Sequence, residues 1–328
     1  MNIIKIFIKN ITVFEDFELS FNEGINVIIG ENGTGKTHLL KYIYALTKFV
    51  GNEDYTKIEI AKEFFNTEPS NLIKNNREDA ELEIIYNEDQ KLMYRLNKDT
   101  ESKKYKENII FGGYINLKTI FIPVKDMLFH SKGFLALNNK FNLPFDKRYI
   151  DIITNVELPE ARQISKVHQK ILDKLSQAIG GIVVYENDIF YILKNDNKKI
   201  EFSLESEGFR KLGLLYKLIR NGLIERDTIL LWDNIEFNIN PELIPLVVEI
   251  LLDLQKEGVQ IFISTHSYNL VKYFEIKKND NVMFHNLYKT ESGIKAQSNR
   301  YFDELENNAI IEADSRLLDD IIEKSMED

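Results

Sequence analysis

The residues with the clearest chemistry run Gly30-Glu31-Asn32-Gly33-Thr34-Gly35-Lys36-Thr37, a G-x-x-x-x-G-K-T pattern. Glycines at that spacing let successive backbone N–H groups turn inward around phosphate oxygens. A helix starting directly behind them adds the positive potential of its N-terminus. Lys36 has the reach for β- and γ-phosphates, and the Thr37 hydroxyl suits Mg2+. Far downstream, Thr228-Ile229-Leu230-Leu231-Trp232-Asp233 is an apolar run ending in an acid. A strand-end aspartate of this kind holds Mg2+ beside a phosphate loop. A second apolar run, Val259–Ser264, delivers Thr265 and His266 at its C-terminal end, the edge where parallel α/β sheets carry ligand-facing residues. His266 is the expected γ-phosphate contact; His38, His130, His168 and His285 have no comparable placement.

Positioning these groups takes a strand–loop–helix unit inside a parallel sheet. Ile25–Ile29 is the apolar strand before the loop, and Leu39, Leu40, Ile43 and Leu46 give the helix spacing after it. Strand and helix alternate again through Thr228–Trp232, Pro241–Lys256, Val259–Ser264 and Tyr268–Phe274, which predicts crossover helices on a parallel sheet. Around this core the sequence predicts strands Ile3–Lys9 and Phe17–Phe21, a polar helical stretch Thr56–Arg77, and a hairpin of Glu81–Tyr86 with Lys91–Leu96. Asn97–Asn108 reads as a polar loop, Lys118–Ile122 as a strand, and His130–Ile179 as helices broken near Pro144 and Pro159. A strand meander follows (Ile182–Tyr185, Ile189–Leu193, Ile200–Leu204), then a helix from Gly208 to Asn221 closed by Gly222. A strand pair (Val282–Tyr288, Gly293–Gln297) and an acidic helix (Ala309–Lys324) end the chain. The fold class is α/β: a mixed central sheet with antiparallel strand additions and a helical insert. Residues 1–328 read as one unit, carrying a polar hairpin or lid insert at 51–108 and the helical insert at 131–179. Phe134, Leu135, Leu137, Phe141 and Phe145 of that insert are expected in the core.

With 328 residues, 44% of them apolar, the chain has ample length for a buried core. No apolar run approaches a membrane span, the N-terminus lacks a signal-peptide layout, and there are 0 Cys. A cytoplasmic protein with no membrane partner is the expectation. A net charge of −10 argues against an overall basic nucleic-acid coat, although 42 Lys and Arg leave room for a local basic groove.

Taken in order, Gly30–Thr37, Ser206-Glu207-Gly208, Asp233 and Ser264-Thr265-His266 resemble the ABC-type ATPases of the RecF/SMC group. Ile8-Lys9-Asn10 and the stretch from Phe21 to Gly30 are similar to that group's N-terminal sheet. Phe121-Ile122-Pro123-Val124-Lys125-Asp126, Glu207–Gly213 and Thr265–Tyr268 resemble its compact, defence-associated branch, the overcoming-lysogenization-like and Septu-like ATPases of anti-phage systems. The resemblance spans nearly the whole chain and implies a P-loop ABC-type ATPase head binding ATP and Mg2+. ATP contacts would come from Gly30, Glu31, Asn32, Gly33, Thr34, Gly35, Lys36 and Thr37, and metal contacts from Thr37 and Asp233. It further implies that two heads assemble head-to-tail around two ATP molecules, with Ser206 and Gly208 of each head contacting the other's γ-phosphate. Ser206 also suits a helix N-cap, and the two roles are compatible because a helix N-terminus binds anions. The preference for adenine over guanine rests on the resemblance.

The chain departs from the family pattern at Asn234, which stands where a glutamate normally activates the attacking water. Asp233-Asn234-Ile235-Glu236 replaces the usual Asp-Glu-Pro-Glu. An amide cannot accept a proton, and general-base help is worth about 10²–10⁴ in rate. Either hydrolysis is slow and ATP acts as a dimer clamp, with Asn234 orienting water as the glutamine of small GTPases does, or Glu236 or His266 supplies the base. The catalytic set is therefore Lys36, Asp233, Asn234, Glu236 and His266. No glutamine occurs near Lys118–Asp126, so Lys125 or Asp126 is expected in the place of the family's glutamine loop. The inserts are too short and irregular for a hinge-bearing coiled coil.

These features point to an ATP-binding, slowly hydrolysing, dimerising head that gates a separate effector, a nuclease or toxin, in a prokaryotic anti-phage or toxin system. Two alternatives stand beside it. A RecF-like DNA-repair ATPase would have DNA as partner and a steep salt dependence. A non-hydrolysing scaffold would bind ATP as a structural ligand. A transporter cassette lacks support, because neither a glutamine loop nor an L-S-G-G-Q signature is present.

Overall fold

The computed structural model describes residues 2–49, 59–87, 90–99, 105–112, 117–128, 131–141, 143–278 and 280–327. Its centre is a six-stranded sheet in the order β14-β13-β3-β12-β11-β7, formed by β3 (Ile25–Gly30), β7 (Lys118–Ile122), β11 (Thr228–Trp232), β12 (Gln260–Ser264), β13 (Val282–Thr290) and β14 (Gly293–Asn299). All neighbouring pairs run parallel except the β13–β14 hairpin, so the sheet is mixed. Every residue of β3, β11 and β12 is buried. Parallel strands read as continuous apolar runs for that reason: both faces are covered.

Strand alternation splits β3 between two cores. Val27 and Ile29 pack into a cluster with Trp232, Leu212, Leu215 and Val248, whereas Ile28 faces the other way, toward Leu39, Ile43, Leu231 and Phe262. The first cluster is roofed by α7 (Glu207–Arg220), α8 (Ile244–Lys256), α9 (Tyr268–Lys277) and the insert helices α5 (Lys147–Glu157) and α6 (Lys166–Ile179). The second lies between α1 (Lys36–Phe49) and an antiparallel sheet of order β2-β1-β4-β5-β6. That sheet comprises β1 (Lys5–Ile11), β2 (Phe14–Ser20), β4 (Asp79–Asn87), β5 (Gln90–Lys98) and β6 (Tyr105–Gly112). The expected hairpin is thus β4 with β5, and β4 pairs with β1 along Lys5–Lys9.

Several local expectations change. The polar run to Asn108 does not stay a loop: from Tyr105 onward it is the edge strand β6, held by pairing with β5 and by Tyr105 and Ile109 against the core. Between Ile60 and Leu72 there are two short helices, α2 (Ile60–Phe65) and α3 (Pro69–Leu72), separated by Asn66 in a left-handed conformation. The meander is β8 (Gly181–Glu186), β9 (Ile189–Lys194) and a short β10 (Lys199–Glu201), after which Phe202–Leu204 is a 3-10 turn. In α4 (Phe134–Phe141), Phe134 is buried, but Leu137 is 50% and Phe141 61% exposed, so the insert's apolar residues are only partly core. His130 lies outside the described residues. The chain closes with α10 (Ala309–Glu327).

Candidate functional site

The P-loop leaves β3 at Gly30, whose φ of +137° and close approach to β13 exclude a side chain, since a Cβ would stand 2.1 Å from the Leu287 carbonyl oxygen. The loop closes through Thr34, whose hydroxyl donates to the Glu31 carbonyl (2.8 Å), and α1 begins at Lys36. The Lys36 ammonium curls over the loop and donates to the carbonyls of Gly30 (2.7 Å) and Glu31 (2.8 Å). Burial lowers its pKa to about 8, against the raising influence of Asp233 and Glu236. Its positive charge is thus costly until an anion arrives.

Asp233, at the end of β11, lies directly under that loop and is 1% exposed. Its Oδ1 accepts from the Thr37 hydroxyl (3.0 Å) and from the Ser264 hydroxyl (2.6 Å), while Oδ2 is buried without a hydrogen-bond partner among the described residues. An unpartnered buried carboxylate oxygen beside a hydroxyl is a hard-oxygen donor set that fits Mg2+. When bound, the metal would neutralise charge on β- and γ-phosphates. The pairing of β11 with β12 brings Ser264 to Asp233, and the same Ser264 oxygen accepts from the Asn234 N–H (2.8 Å).

Beyond Asp233 the chain turns sharply. Asn234 has φ +44°, a left-handed conformation that asparagine tolerates better than most residues. Two turn hydrogen bonds follow, from Phe237 N–H to Asn234 O (3.0 Å) and from Ile239 N–H to Glu236 O (3.0 Å). Glu236 comes back toward β12, where its Oε1 accepts from the His266 backbone N–H (2.8 Å). His266 is exposed at the cavity mouth, and its pKa is lowered by desolvation and by Lys36. It is therefore neutral near pH 7, able to donate to or accept from a bound ligand. Gly30, Glu31, Asn32, His266, Tyr268 and Lys289, with Asp314 and Leu317 of α10, line a cavity of about 700 Å3.

Ser206 and Gly208 stand apart from this cluster. They line a separate cavity of about 850 Å3 with Asn238, Asn240 and Leu243, and no residue is shared with the P-loop cavity. Ser206 is the N-cap of α7, its hydroxyl accepting from the Phe209 N–H (3.4 Å). Gly208 fits closely against the neighbouring turn, where a Cβ would sit 2.7 Å from the Asn238 carbonyl oxygen. In a single chain the two halves of the expected site open on different cavities.

Sequence reasoning missed three groups. Ser264 was visible only as the residue before Thr265-His266, yet it bridges Asp233 and Asn234. Lys211, 1% exposed on α7, donates to the Phe237 carbonyl (2.7 Å), and burial lowers its pKa to about 8. Lys289 approaches Glu31 (3.4 Å) at the loop mouth. Asp126, one of the two residues expected in the place of the glutamine loop, clasps α7: it accepts from Arg210 Nε (2.6 Å) with its side chain 1% exposed. His38 is held neutral, its pKa lowered to about 4 by desolvation and by Lys41 and Arg148.

This architecture is that of an ABC-type P-loop ATPase head. Solved structures with the same fold include the SMC head domain from Thermotoga maritima, with a TM-score of 0.52, 15% identity, and coverage of 90% of this chain and 98% of that one. An Smc head domain derived from Pyrococcus furiosus, bound to the C-terminal domain of ScpA, gives a TM-score of 0.57 at 14% identity, covering 98% and 99%. The family model described as "AAA domain, putative AbiEii toxin, Type IV TA system" matches residues 25–272, and the chain belongs to that family. It is also similar to the DNA replication and repair protein RecF of Bacillus cereus (strain G9842), 27% identical over 180 residues, 53% of this chain and 44% of that protein. A segment of 46 residues is 52% identical to RecF of Bacillus cytotoxicus, covering 14% of this chain and 12% of RecF. The matched region therefore spans less than half the length of these curated relatives.

Proposed function

We propose that this chain is an ATP-binding, slowly hydrolysing head that pairs head-to-tail and gates a separate effector, a nuclease or a toxin, in a prokaryotic anti-phage or toxin system. The observation that carries the nucleotide reading is Asp233. One of its oxygens takes the Thr37 and Ser264 hydroxyls and the other is buried and unpartnered, under a lysine whose charge is desolvated. In this reading Gly30–Thr37 wraps the phosphates, Lys36 bridges the β- and γ-oxygens, and Thr37 with Asp233 holds Mg2+. Asn234 and His266 face the γ-phosphate side. Ser206 and Gly208, which open on their own cavity, complete a second chain's site rather than their own. The family's printed description, which names a putative toxin and a type IV TA system, supports a place in a toxin system. Among the described residues no helix is long and apolar enough to cross a membrane.

Titration calorimetry with ATP and Mg2+ tests the reading directly. The protein binds ATP, and Lys36→Ala weakens binding by at least about tenfold, the loss of one charge-assisted phosphate contact. Ultracentrifugation shows a shift from monomer to dimer on adding ATP and Mg2+. A purified protein that binds no nucleotide, in any metal, ends the proposal. The RecF similarity favours one second reading, a DNA-repair ATPase. It requires ATP-dependent DNA binding whose affinity falls steeply with salt, whereas the gating role requires an effector that co-purifies with the native protein.

A further inference from the structure

We propose that the proton acceptor for ATP hydrolysis in this chain is Glu236, three residues beyond Asp233, and that the adjacent Asn234 serves the backbone turn. The inference rests on the nucleotide site described above and assigns the slow hydrolysis proposed for it to a base at a position that differs from the family pattern.

Asn234 is suited to the turn more than to proton transfer. Its φ of +44° lies in the left-handed region, and its N–H is fixed by the Ser264 hydroxyl at 2.8 Å. A neutral amide there has no basic lone pair to offer a water molecule. Glu236 differs on each count. Its backbone is locked by the turn bonds around it, and Lys211 pins the next carbonyl, that of Phe237, at 2.7 Å. Its carboxylate lies within electrostatic reach of Lys36, His266 and Lys211, the same three groups that feel Asp233. Both acids therefore lie close enough to the P-loop lysine to act on its charge.

The decisive detail is the use of the two carboxylate oxygens. Oε1 accepts the His266 N–H at 2.8 Å, while Oε2 is buried and has no hydrogen-bond partner among the described residues. Holding His266 requires only one acceptor oxygen, and a glutamine would supply it equally well. A second, charged oxygen left unpaired in the interior is costly. That cost is explained if Oε2 has a transient partner, the attacking water. In the hydrolytic step the water oxygen forms a bond to the γ-phosphorus and one water proton passes to Glu236 Oε2. The bond from the γ-phosphorus to the β–γ bridging oxygen breaks, and its electron pair leaves with ADP. Glu236 then returns the proton to the released phosphate or to solvent.

Glu236→Gln isolates this role, because the amide oxygen still accepts from His266 N–H and only the basic oxygen is lost. Single-turnover hydrolysis with protein in excess over ATP and Mg2+ should slow about a hundredfold or more. ATP affinity by calorimetry should stay within a few-fold of wild type, and the variant should retain unhydrolysed ATP in a dimer isolated by gel filtration. Wild-type hydrolysis that is unchanged in Glu236→Gln overturns the proposal, as does a wild-type protein that binds ATP and never splits it. Both outcomes leave the nucleotide reading intact. A wild type that binds no ATP removes that reading and this one together.

Discussion

His285 is the most deeply buried titratable group near the P-loop strand. Its ring stands between Ser298 Oγ (2.7 Å) and Asn26 Oδ1 (3.0 Å), with no exposed surface, and burial lowers its pKa to about 3. The folded protein therefore resists protonation that the unfolded chain accepts below about 6.5. Stability contributed by the neutral ring is complete above that value and declines as pH falls toward the folded value. At pH 5 the loss from this group is about 2 kcal/mol. Denaturant titrations at pH 7 and pH 5 should show this slope in wild type and a flatter one in His285→Gln, even though the variant starts less stable. Asn234 yields a second residue-scale prediction, from its left-handed backbone. Asn234→Ala should cost about 1 kcal/mol in a denaturant titration, and Asn234→Gly less.

At the scale of elements, α7 is bound to the turn after β11 and to the segment after β7 by two cations, the first buried and the second half-buried. Lys211 reaches the Phe237 carbonyl and Arg210 reaches Asp126. Lys211→Met leaves that carbonyl unpaired and should cost about 1–3 kcal/mol. Asp126→Ala removes one acceptor of the Arg210 guanidinium, which keeps the Glu205 carbonyl at 2.7 Å, and should cost about 1–3 kcal/mol, read as a drop in midpoint temperature. These clasps also mark where sequence reasoning stops. The P-loop strand and helix were legible because Ile25–Ile29 and Leu39, Leu40, Ile43 and Leu46 carry their own periodicity, and β11 and β12 because doubly covered strands carry apolar runs, Ile229–Trp232 and Ile261–Ile263. Lys211 was not, since a lysine on an amphipathic helix looks solvated until the turn that buries it is known. Likewise β6 hid inside a polar run, because an edge strand can begin on polar and charged residues. The exposed Leu137 and Phe141 of α4 carry the opposite lesson: apolar spacing predicts a face and leaves open what covers it.

At the scale of the whole molecule, the separation of the Ser206–Gly208 cavity from the P-loop cavity makes head-to-tail pairing testable by mixing defects. Lys36→Ala removes one half of each site and Ser206→Arg obstructs the other, so each variant alone should be inactive. Randomly mixed pairs place both lesions in one site and leave the other whole. Half the pairs are then mixed and half their sites intact, so ATPase activity should recover to about a quarter of wild type. No recovery on mixing, with both variants still dimeric, would rule out sites shared between chains. The Lys211 bond acquires a wider meaning in such a pair. It joins Glu236's turn, which in the proposed pair would serve the chain's own nucleotide, to the helix capped by Ser206, which would serve its neighbour's. A shift of that helix on nucleotide arrival at one site would move the catalytic turn of the other, and coupling between sites is reciprocal by thermodynamic necessity. The pair would then bind ATP cooperatively, with a Hill coefficient above one that falls toward one in Lys211→Met.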